Sequence, residues 1–268
     1  MSSELVIECR GVSKTYQLYR RHNDRLKQLL FGRYRRYFIE YWALSGIDLA
    51  IRRGERIGIV GRNGAGKSTF LQLVCGITLP TAGELIVDGR VAPILALGSG
   101  FNPEMTGREN AQVSGSILGL RRAQVAARMD SIADFAGIGD FMHQPVRLYS
   151  AGMRSRLAFA ICAHVDADIL VVDEALSVGD GTFRQKCMDF IARFSRSGTL
   201  ILASHEMDQV RELCDRVIWI DAGKVRAEGK PDEIVGMYLE QSGDDPESKR
   251  FHFDPNRLPL AGLGARPG

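Results

Sequence analysis

Short strand-like apolar segments alternate with longer segments of helical spacing along most of the chain. The segment ELVIECRGV near the N-terminus alternates apolar and polar residues, which is typical of a strand with one buried face. Further short apolar runs that predict strands lie at 54–61, 168–174, 199–205 and 216–225. Strands that alternate with helices in this way predict an α/β fold with a mostly parallel sheet.

The segments between these strands give more local predictions. An apolar stripe at helical spacing follows the strand at 54–61 and is formed by Phe70, Leu71, Val74 and Ile77. The pattern from about residue 105 to 165 is mostly helical. The segment GELIVDGRVAPIL at 83–95 has two short apolar runs around Asp88-Gly89, and this arrangement predicts an antiparallel strand pair.

The composition narrows the class of protein. The chain has 268 residues, 45% hydrophobic and 25% charged, as expected for a soluble globular protein with one large domain or a domain and a subdomain. No apolar run reaches the roughly 18–20 residues that span a bilayer, and no signal peptide is visible, so another chain is expected to provide any membrane span. The five cysteines are scattered, which favours a reducing compartment over a disulfide framework or a zinc site.

A glycine-rich segment gives the first chemical prediction. GRNGAGKST fits the pattern G-x-x-x-x-G-K-[ST] and lies between a predicted strand and a predicted helix. Glycines let the backbone curl so that its N–H groups point at phosphate oxygens, and the helix start adds a partial positive charge. Lys67 is predicted to reach the β- and γ-phosphates, and the Ser68 hydroxyl to bind Mg²⁺. The residues predicted to bind nucleotide here are Gly61, Arg62, Asn63, Gly64, Ala65, Gly66, Lys67, Ser68 and Thr69.

Two later strands are predicted to end in residues that suit the same chemistry. ILVVDEA places Asp173 and Glu174 at the carboxyl end of an apolar run, where ligands bind in open α/β sheets. Asp173 is predicted to share the Mg²⁺ ion with Ser68, and Glu174 to be the general base that polarises the attacking water. His205 ends the run LILASH at the same sheet edge, and we expect it to sense the γ-phosphate rather than to be an ordinary surface or core histidine.

The order of these motifs, with YSAGM before the acidic pair and SVGD after it, resembles the nucleotide-binding subunit of an ATP-binding-cassette (ABC) transporter. The resemblance covers roughly residues 4–240. It implies an enzyme that hydrolyses ATP with Mg²⁺, and in which two copies pack head to tail around two ATP molecules. Residues 149–153 would be the family's signature motif, usually LSGGQ, which caps the γ-phosphate held by the other copy.

Four residues outside the glycine-rich segment are expected to contact nucleotide on this basis. Ser150 can cap a helix that begins near Ala151, and Gly152 lets the backbone approach the partner's ATP closely, although a plain helix start is the alternative. Asp180 is expected to be a polar contact on the loop that crosses the same interface. Tyr16 occupies the position where the family stacks an aromatic ring on adenine, the alternative being a core tyrosine at a strand end.

Departures from the general ABC pattern resemble one subgroup. The signature YSAGMRSRLAFA, the segments EALSVGDGTFRQKC and LALGSGFNPEMTGREN, and a long insert are similar to the ATPase subunits of bacterial polysaccharide exporters, which move O-antigen, capsule or teichoic-acid chains. This resemblance implies an integral membrane permease, a lipid-linked glycan, no nucleic acid, and a place at the cytoplasmic face of the inner membrane. Most ABC subunits carry a glutamine near 96–98, where this chain has Ala-Leu-Gly. The subunit of another transporter type and a soluble ABC-type ATPase are the alternatives.

The insert, residues 17–43, combines seven arginines and lysines with two carboxylates and seven aromatic residues. Such a mixture suits a membrane interface or a lipid head group. We therefore expect it to lie beside the membrane and to help bind a lipid-linked pyrophosphate. A solvated helix that packs on the β-subdomain is the alternative.

The whole chain is thus predicted to have an α/β fold of the P-loop NTPase (ABC ATPase) type, with an N-terminal antiparallel β-subdomain and a helical subdomain at about 98–165. The ATPase domain is predicted to span 1–240. Residues 241–268, which are rich in glycine and proline, are predicted to form a flexible tail. They are too few for an independent carbohydrate-binding domain.

Overall fold

The computed structural model of the protein describes residues 4–21, 23–31, 36–95, 98, 100–173 and 181–243. Its strands are β1 (Leu5–Leu18), β2 (Ile39–Arg52), β3 (Arg56–Val60), β4 (Ala82–Val87), β5 (Val91–Ile94), β6 (Ile169–Val172), β7 (Thr199–Ala203), β8 (Arg216–Asp221) and β9 (Lys224–Gly229). Its α-helices are α1 (Asp24–Phe31), α2 (Lys67–Val74), α3 (Gly107–Ile117), α4 (Arg122–Ala136), α5 (Ala151–Ala163), α6 (Gly181–Phe194), α7 (Met207–Leu213) and α8 (Pro231–Gly243). Two short 3-10 helices, Gly139–His143 and Val146–Leu148, separate α4 from α5.

Within the described residues, the main sheet has six strands in the order β5-β6-β7-β3-β8-β9. Every neighbouring pair is parallel except β8 and β9, which confirms the predicted, mostly parallel α/β sheet. The central strands are buried almost throughout because apolar clusters cover both faces. In β6, for example, Ile169 and Val171 belong to one cluster, and Leu170 and Val172 belong to the other.

In the part of the chain that the structure describes, the predicted N-terminal antiparallel β-subdomain is a three-stranded sheet in the order β2-β1-β4. Its inner residues, such as Ile7, Leu44 and Ile51, share one apolar cluster with Phe70 of α2. This packing fixes the β-subdomain against the helix that follows the glycine-rich segment. The two ends of the 17–43 segment belong to β1 and β2, and α1 lies in the connection between these strands.

The predicted strand pair at 83–95 was wrong. Both apolar runs form strands, but β4 pairs antiparallel with β1, and β5 pairs parallel with β6 in the main sheet. The Asp88-Gly89 pair therefore connects two sheets instead of closing a hairpin. The Asp168 carboxylate accepts the Arg90 N–H at 2.7 Å beside this connection. The local turn residues were consistent with a hairpin, but the distant partners of each strand determined the pairing.

Two predicted element boundaries were also wrong. The helix after the glycine-rich segment ends at Val74, and Gly76, with φ of 67°, turns the chain away, so Ile77 is 62% exposed instead of completing the apolar stripe. The strand predicted at 216–225 is a hairpin of β8 and β9 with a turn at Ala222-Gly223, where both φ values are positive.

The predominantly helical region predicted at 105–165 is confirmed by α3, α4, the two 3-10 helices and α5, which enclose an apolar cluster of their own. Helix α5 joins this helical subdomain to the main sheet. Its Leu157 and Ile161 pack in the helical cluster, whereas Phe159 and Cys162 pack in a cluster of the main sheet. The start of α5 is therefore positioned by both parts of the fold. Among the described residues, no helix is long and apolar enough to span a membrane.

Candidate active site

The glycine-rich loop, residues 61–66, connects the central strand β3 to the start of α2. Two of its glycines are required by close approaches to neighbouring backbone. At Gly66, with φ of 112°, a Cβ atom would lie 2.6 Å from the carbonyl oxygen of Ala43. At Gly61, with φ of 153°, a Cβ atom would collide with the carbonyl oxygen of Ile220. The loop is thus held between β2 and β8, and its curvature depends on the missing side chains.

Lys67 is buried within the curve of this loop, with 5% of its surface exposed. Its Nζ donates hydrogen bonds to the carbonyl oxygens of Gly61 at 2.7 Å and Arg62 at 3.3 Å. These contacts hold the ammonium at the start of α2, where backbone N–H groups and the helix dipole also favour an anion. The arrangement therefore places three sources of positive potential at one point.

Ser68 and Asp173, the two residues predicted to bind metal, are brought together by the fold. Asp173 directly follows β6, and its Oδ2 accepts a hydrogen bond from the Ser68 hydroxyl at 3.2 Å. A hydroxyl and a carboxylate oxygen beside a phosphate-binding loop are the ligands that Mg²⁺ prefers. The donor set therefore fits this ion. In the part of the chain that the structure describes, no cluster of three or more histidine, cysteine or carboxylate residues suits another metal.

His205 lies two residues after the end of β7, on the exposed connection to α7. Polar contacts of its neighbours fix this connection. The Glu206 N–H donates to the Ser204 hydroxyl at 3.0 Å, and Arg184 of α6 donates to both carboxylate oxygens of Glu206 at 2.9 and 2.8 Å. Sequence reasoning missed Arg184 and Glu206, because nothing in their spacing indicates that α6 and this connection meet.

Ser150 caps α5 as predicted. Its hydroxyl accepts the Met153 N–H at 3.1 Å, and the helix begins at Ala151. The preceding Tyr149 is buried with 4% of its surface exposed, and its hydroxyl donates to the carbonyl oxygen of Phe141. Burial raises the pKa of Tyr149. Tyr149 thus anchors the signature segment in the helical subdomain, while Ser150 is exposed.

A cleft of about 250 Å³ lies over the glycine-rich loop. The residues that line it are Tyr41, Ala43, Arg62, Asn63, Gly64, Gly66, Lys67, Ser68 and Thr69. Sequence analysis predicted all of these except Tyr41 and Ala43, which β2 contributes. Tyr16, Ser150 and Gly152 do not line the cleft, although Tyr16 lies directly opposite Tyr41 in the pairing of β1 with β2.

Some of the predicted residues lie outside the described part of the chain. Glu174, the expected general base, and Asp180, the expected interface contact, both fall in the range 174–180. Ala96 and Leu97, where most ABC subunits carry a glutamine, also lie outside it. Their roles stay predictions.

A family model described as "ABC transporter" matches residues 44–177, which include the glycine-rich loop, the signature segment and Asp173. The chain belongs to the ABC transporter family. Two relatives are named "O-antigen export system ATP-binding protein RfbB". The one from Myxococcus xanthus is 50% identical over 84% of this chain, which spans about half (51%) of that relative. The one from Klebsiella pneumoniae is 42% identical over 88% of this chain and 98% of the relative.

A solved structure shows the same fold. It is described as a dimeric post-hydrolysis state of the ATP-binding cassette MJ0796 bound to ADP and Pi. The likeness covers 84% of this chain and 98% of that chain, with a TM-score of 0.67 and 20% sequence identity. The predicted fold class, an ABC ATPase of the P-loop type, is therefore confirmed. Because the chain belongs to this family, it binds ATP and hydrolyses it.

Proposed function

We propose that this ABC ATPase drives the export of a lipid-linked polysaccharide across the cytoplasmic membrane, together with a membrane permease. The similarity to two ATP-binding proteins named for O-antigen export supports this class of substrate. The protein would act at the cytoplasmic face of the membrane, where ATP is available. The subunit of another kind of transporter and a soluble ABC-type ATPase are the alternatives.

Hydrolysis would use the residues gathered around the cleft. Lys67 and the N–H groups of the loop would hold the phosphates, since the ammonium and the start of α2 converge there. Ser68 and Asp173 would hold Mg²⁺, which neutralises phosphate charge when bound. Glu174 would polarise the attacking water, and His205 would sense the γ-phosphate.

Two copies would be needed for a complete site. Ser150 and Gly152 do not line the cleft of their own chain, yet they lie at an exposed helix start that suits an anion. We infer that the start of α5 caps ATP bound to the second copy, in a head-to-tail dimer. Closure of this dimer would then move the permease.

One structural observation favours a membrane-facing role over a soluble ATPase. Helix α1 exposes three leucines, Leu26 by 59%, Leu29 by 81% and Leu30 by 63%. The cations Arg25 and Lys27 lie exposed on the same short helix. Apolar side chains flanked by cations are typical of a surface that contacts lipid or a membrane protein. This helix would lie beside the permease and meet the lipid-linked substrate.

Capture of the working complex would test the proposal. Glu174→Gln is expected to bind ATP and to hold the closed dimer, so it would be purified with ATP from native membranes and the bound chains identified by mass spectrometry. A small multi-span permease together with a lipid-linked glycan supports the proposal. Ribosomes, DNA or a solute-import permease would contradict polysaccharide export while leaving the ATPase activity intact.

The role of α1 can be tested separately by replacing Leu26, Leu29 and Leu30 with glutamine. We expect the ATPase activity of the isolated protein to persist, whereas association with permease-containing membranes falls. Leu79→Gln is the matched control, since Leu79 is 76% exposed but lies between α2 and β4. Equal membrane association of the triple variant and this control would contradict the role of α1.

A further inference from the structure

Tyr41 has an unusual position for a strand residue of the β-subdomain. It lies in β2, and its ring lines the cleft over the glycine-rich loop. Its hydroxyl donates to the carbonyl oxygen of Gly64 at 3.4 Å. The residue is nevertheless 44% exposed, so part of its side chain is open to a ligand. A large aromatic surface is thus held open beside a loop that binds phosphate.

The orientation of a nucleotide in this cleft follows from the position of its phosphate-binding end. Lys67 and Ser68 mark the phosphate end, because they lie at the start of α2. A nucleotide held there by its phosphates extends its nucleoside along the rest of the cleft. The walls that remain are the loop residues Arg62 and Asn63 and, from β2, Tyr41 and its neighbour Ala43.

The pairing of the strands places a second aromatic ring next to Tyr41. Tyr16 of β1 is the direct partner of Tyr41 in the antiparallel register, and directly opposed residues carry their side chains on the same face of a sheet. We propose that Tyr41 is a nucleobase contact of this ATPase at the nucleoside end of the cleft, with Tyr16 beside it on the same face of the sheet, just outside the cleft lining. The proposal builds on ATP binding and adds a residue from β2 to the base site.

The chemistry of the contact is stacking between a purine and a phenol ring. Such stacking gives about 5- to 150-fold in affinity per base, so a tenfold effect lies near the lower end of the usual range. The Tyr41 hydroxyl is already directed to the Gly64 carbonyl, so the ring face rather than the hydroxyl is the part offered to the base. Tyr41→Phe should therefore keep the contact, and Tyr41→Ala should remove it.

The test compares two ligands on the full chain, ATP and inorganic triphosphate, by calorimetry. Tyr41→Ala is expected to raise the Kd for ATP about tenfold and to leave the Kd for triphosphate within about twofold. Tyr41→Phe is expected to match the wild type for both ligands. Trp42→Ala is the control, because Trp42 is 52% exposed and adjacent in the strand, so its side chain lies on the opposite face.

Two results would overturn the proposal. An unchanged ATP affinity in Tyr41→Ala would show that the base does not reach the ring. Equal weakening of ATP and triphosphate would show that Tyr41 acts only by supporting the loop through Gly64. A folding defect would be recognised from the thermal unfolding of each variant, and Tyr41→Phe would still report whether the hydroxyl contributes.

Discussion

The N-termini of α2 and α5 both present backbone N–H groups that suit an anion. They differ in whether a side chain caps those groups. Helix α2 begins after Gly66, which has no side chain to cap the first turn. Helix α5 begins after Ser150, whose hydroxyl accepts the N–H of Met153. Since first-turn N–H groups can donate to an anion, the start of α2 leaves them without a side-chain cap, whereas the start of α5 uses one of them for its cap.

The surroundings of the two helix starts differ in the same sense. A Cβ atom on Gly66 would lie 2.6 Å from the backbone of Ala43, whereas one on Gly152 would meet nothing closer than the Ser150 hydroxyl at 3.8 Å. The start of α2 is enclosed by its own chain, and the start of α5 is open to another molecule. The difference supports a site shared between two copies. In each copy the start of α2 would bind the copy's own ATP, and the start of α5 would contact the ATP of its partner.

Alanine substitutions at Gly66 and Gly152 should give the largest difference between the start of α2 and the start of α5. Gly66→Ala is expected to abolish ATP binding and to lower the free energy of unfolding by about 1–3 kcal/mol, since φ is positive and backbone blocks the methyl group. Gly152→Ala is expected to keep folding and ATP binding by the single chain, but to lower hydrolysis. Chemical unfolding, ATP titration and phosphate release would be measured on both variants. Loss of ATP binding in the Gly152 variant would contradict the division between copies.

Asp173→Asn should weaken the binding of Mg²⁺ beside the start of α2. With one ligand charge removed, we expect Mg²⁺-dependent hydrolysis to fall by about 100-fold or more, while ATP binding without Mg²⁺ changes little. Chelation of Mg²⁺ should reduce the wild-type rate to a similar level. Hydrolysis measured across a Mg²⁺ titration checks this expectation. An unchanged Mg²⁺ dependence would exclude Asp173 as a ligand.

The residues around the start of α2 could be predicted from sequence because most of them are close together along the chain. The glycines, Lys67 and Ser68 lie within one short segment, and Asp173 follows an apolar run whose end is easily recognised. The mostly parallel sheet, the N-terminal antiparallel sheet and the helical pattern at 105–165 could be predicted for the same reason, because each depends on local periodicity. The prediction of a strand pair at 83–95 was wrong because β4 and β5 pair with strands that are distant along the chain.

The residues that sequence analysis missed depend on tertiary register. Tyr41 reaches the cleft only because β2 pairs with β1 and lies against the glycine-rich loop. Arg184 and Glu206 meet only because α6 packs beside the connection between β7 and α7. Neither contact leaves a periodic pattern, so no spacing in the chain could indicate it.

Ser150→Ala should sharpen the comparison from the α5 side, with Thr106→Ala as a matched control. Thr106 caps α3 in the same way, through the N–H of Glu109 at 3.2 Å. Both substitutions are expected to cost about 1 kcal/mol of stability through the lost cap. Only Ser150→Ala should also lower hydrolysis, by about tenfold, if its hydroxyl meets a phosphate. Equal hydrolysis in both variants would reduce Ser150 to a helix cap.

The smallest effect is expected for Arg184→Ala, which removes the ion pair to Glu206 beside His205. The pair is about half exposed, so stability should change by less than about 1 kcal/mol. We expect a fewfold lower kcat for ATP hydrolysis with an unchanged KM, because His205 loses a fixed neighbour. Arg226→Ala, which breaks a similarly exposed pair to Asp221, is the control. A matching kcat in both variants would leave the Arg184 pair a surface contact only.

A disulfide cross-link between copies tests the central claim most directly. The native cysteines should react poorly, because burial raises the pKa of each to about 12, as holds for Cys9, Cys75, Cys162, Cys187 and Cys214. Asn63→Cys and Ser150→Cys would be combined on the Glu174→Gln chain, since both positions are exposed. The account predicts an ATP-dependent covalent dimer that neither single cysteine variant forms. A chain that stays monomeric with ATP under oxidising conditions would contradict a site shared between copies.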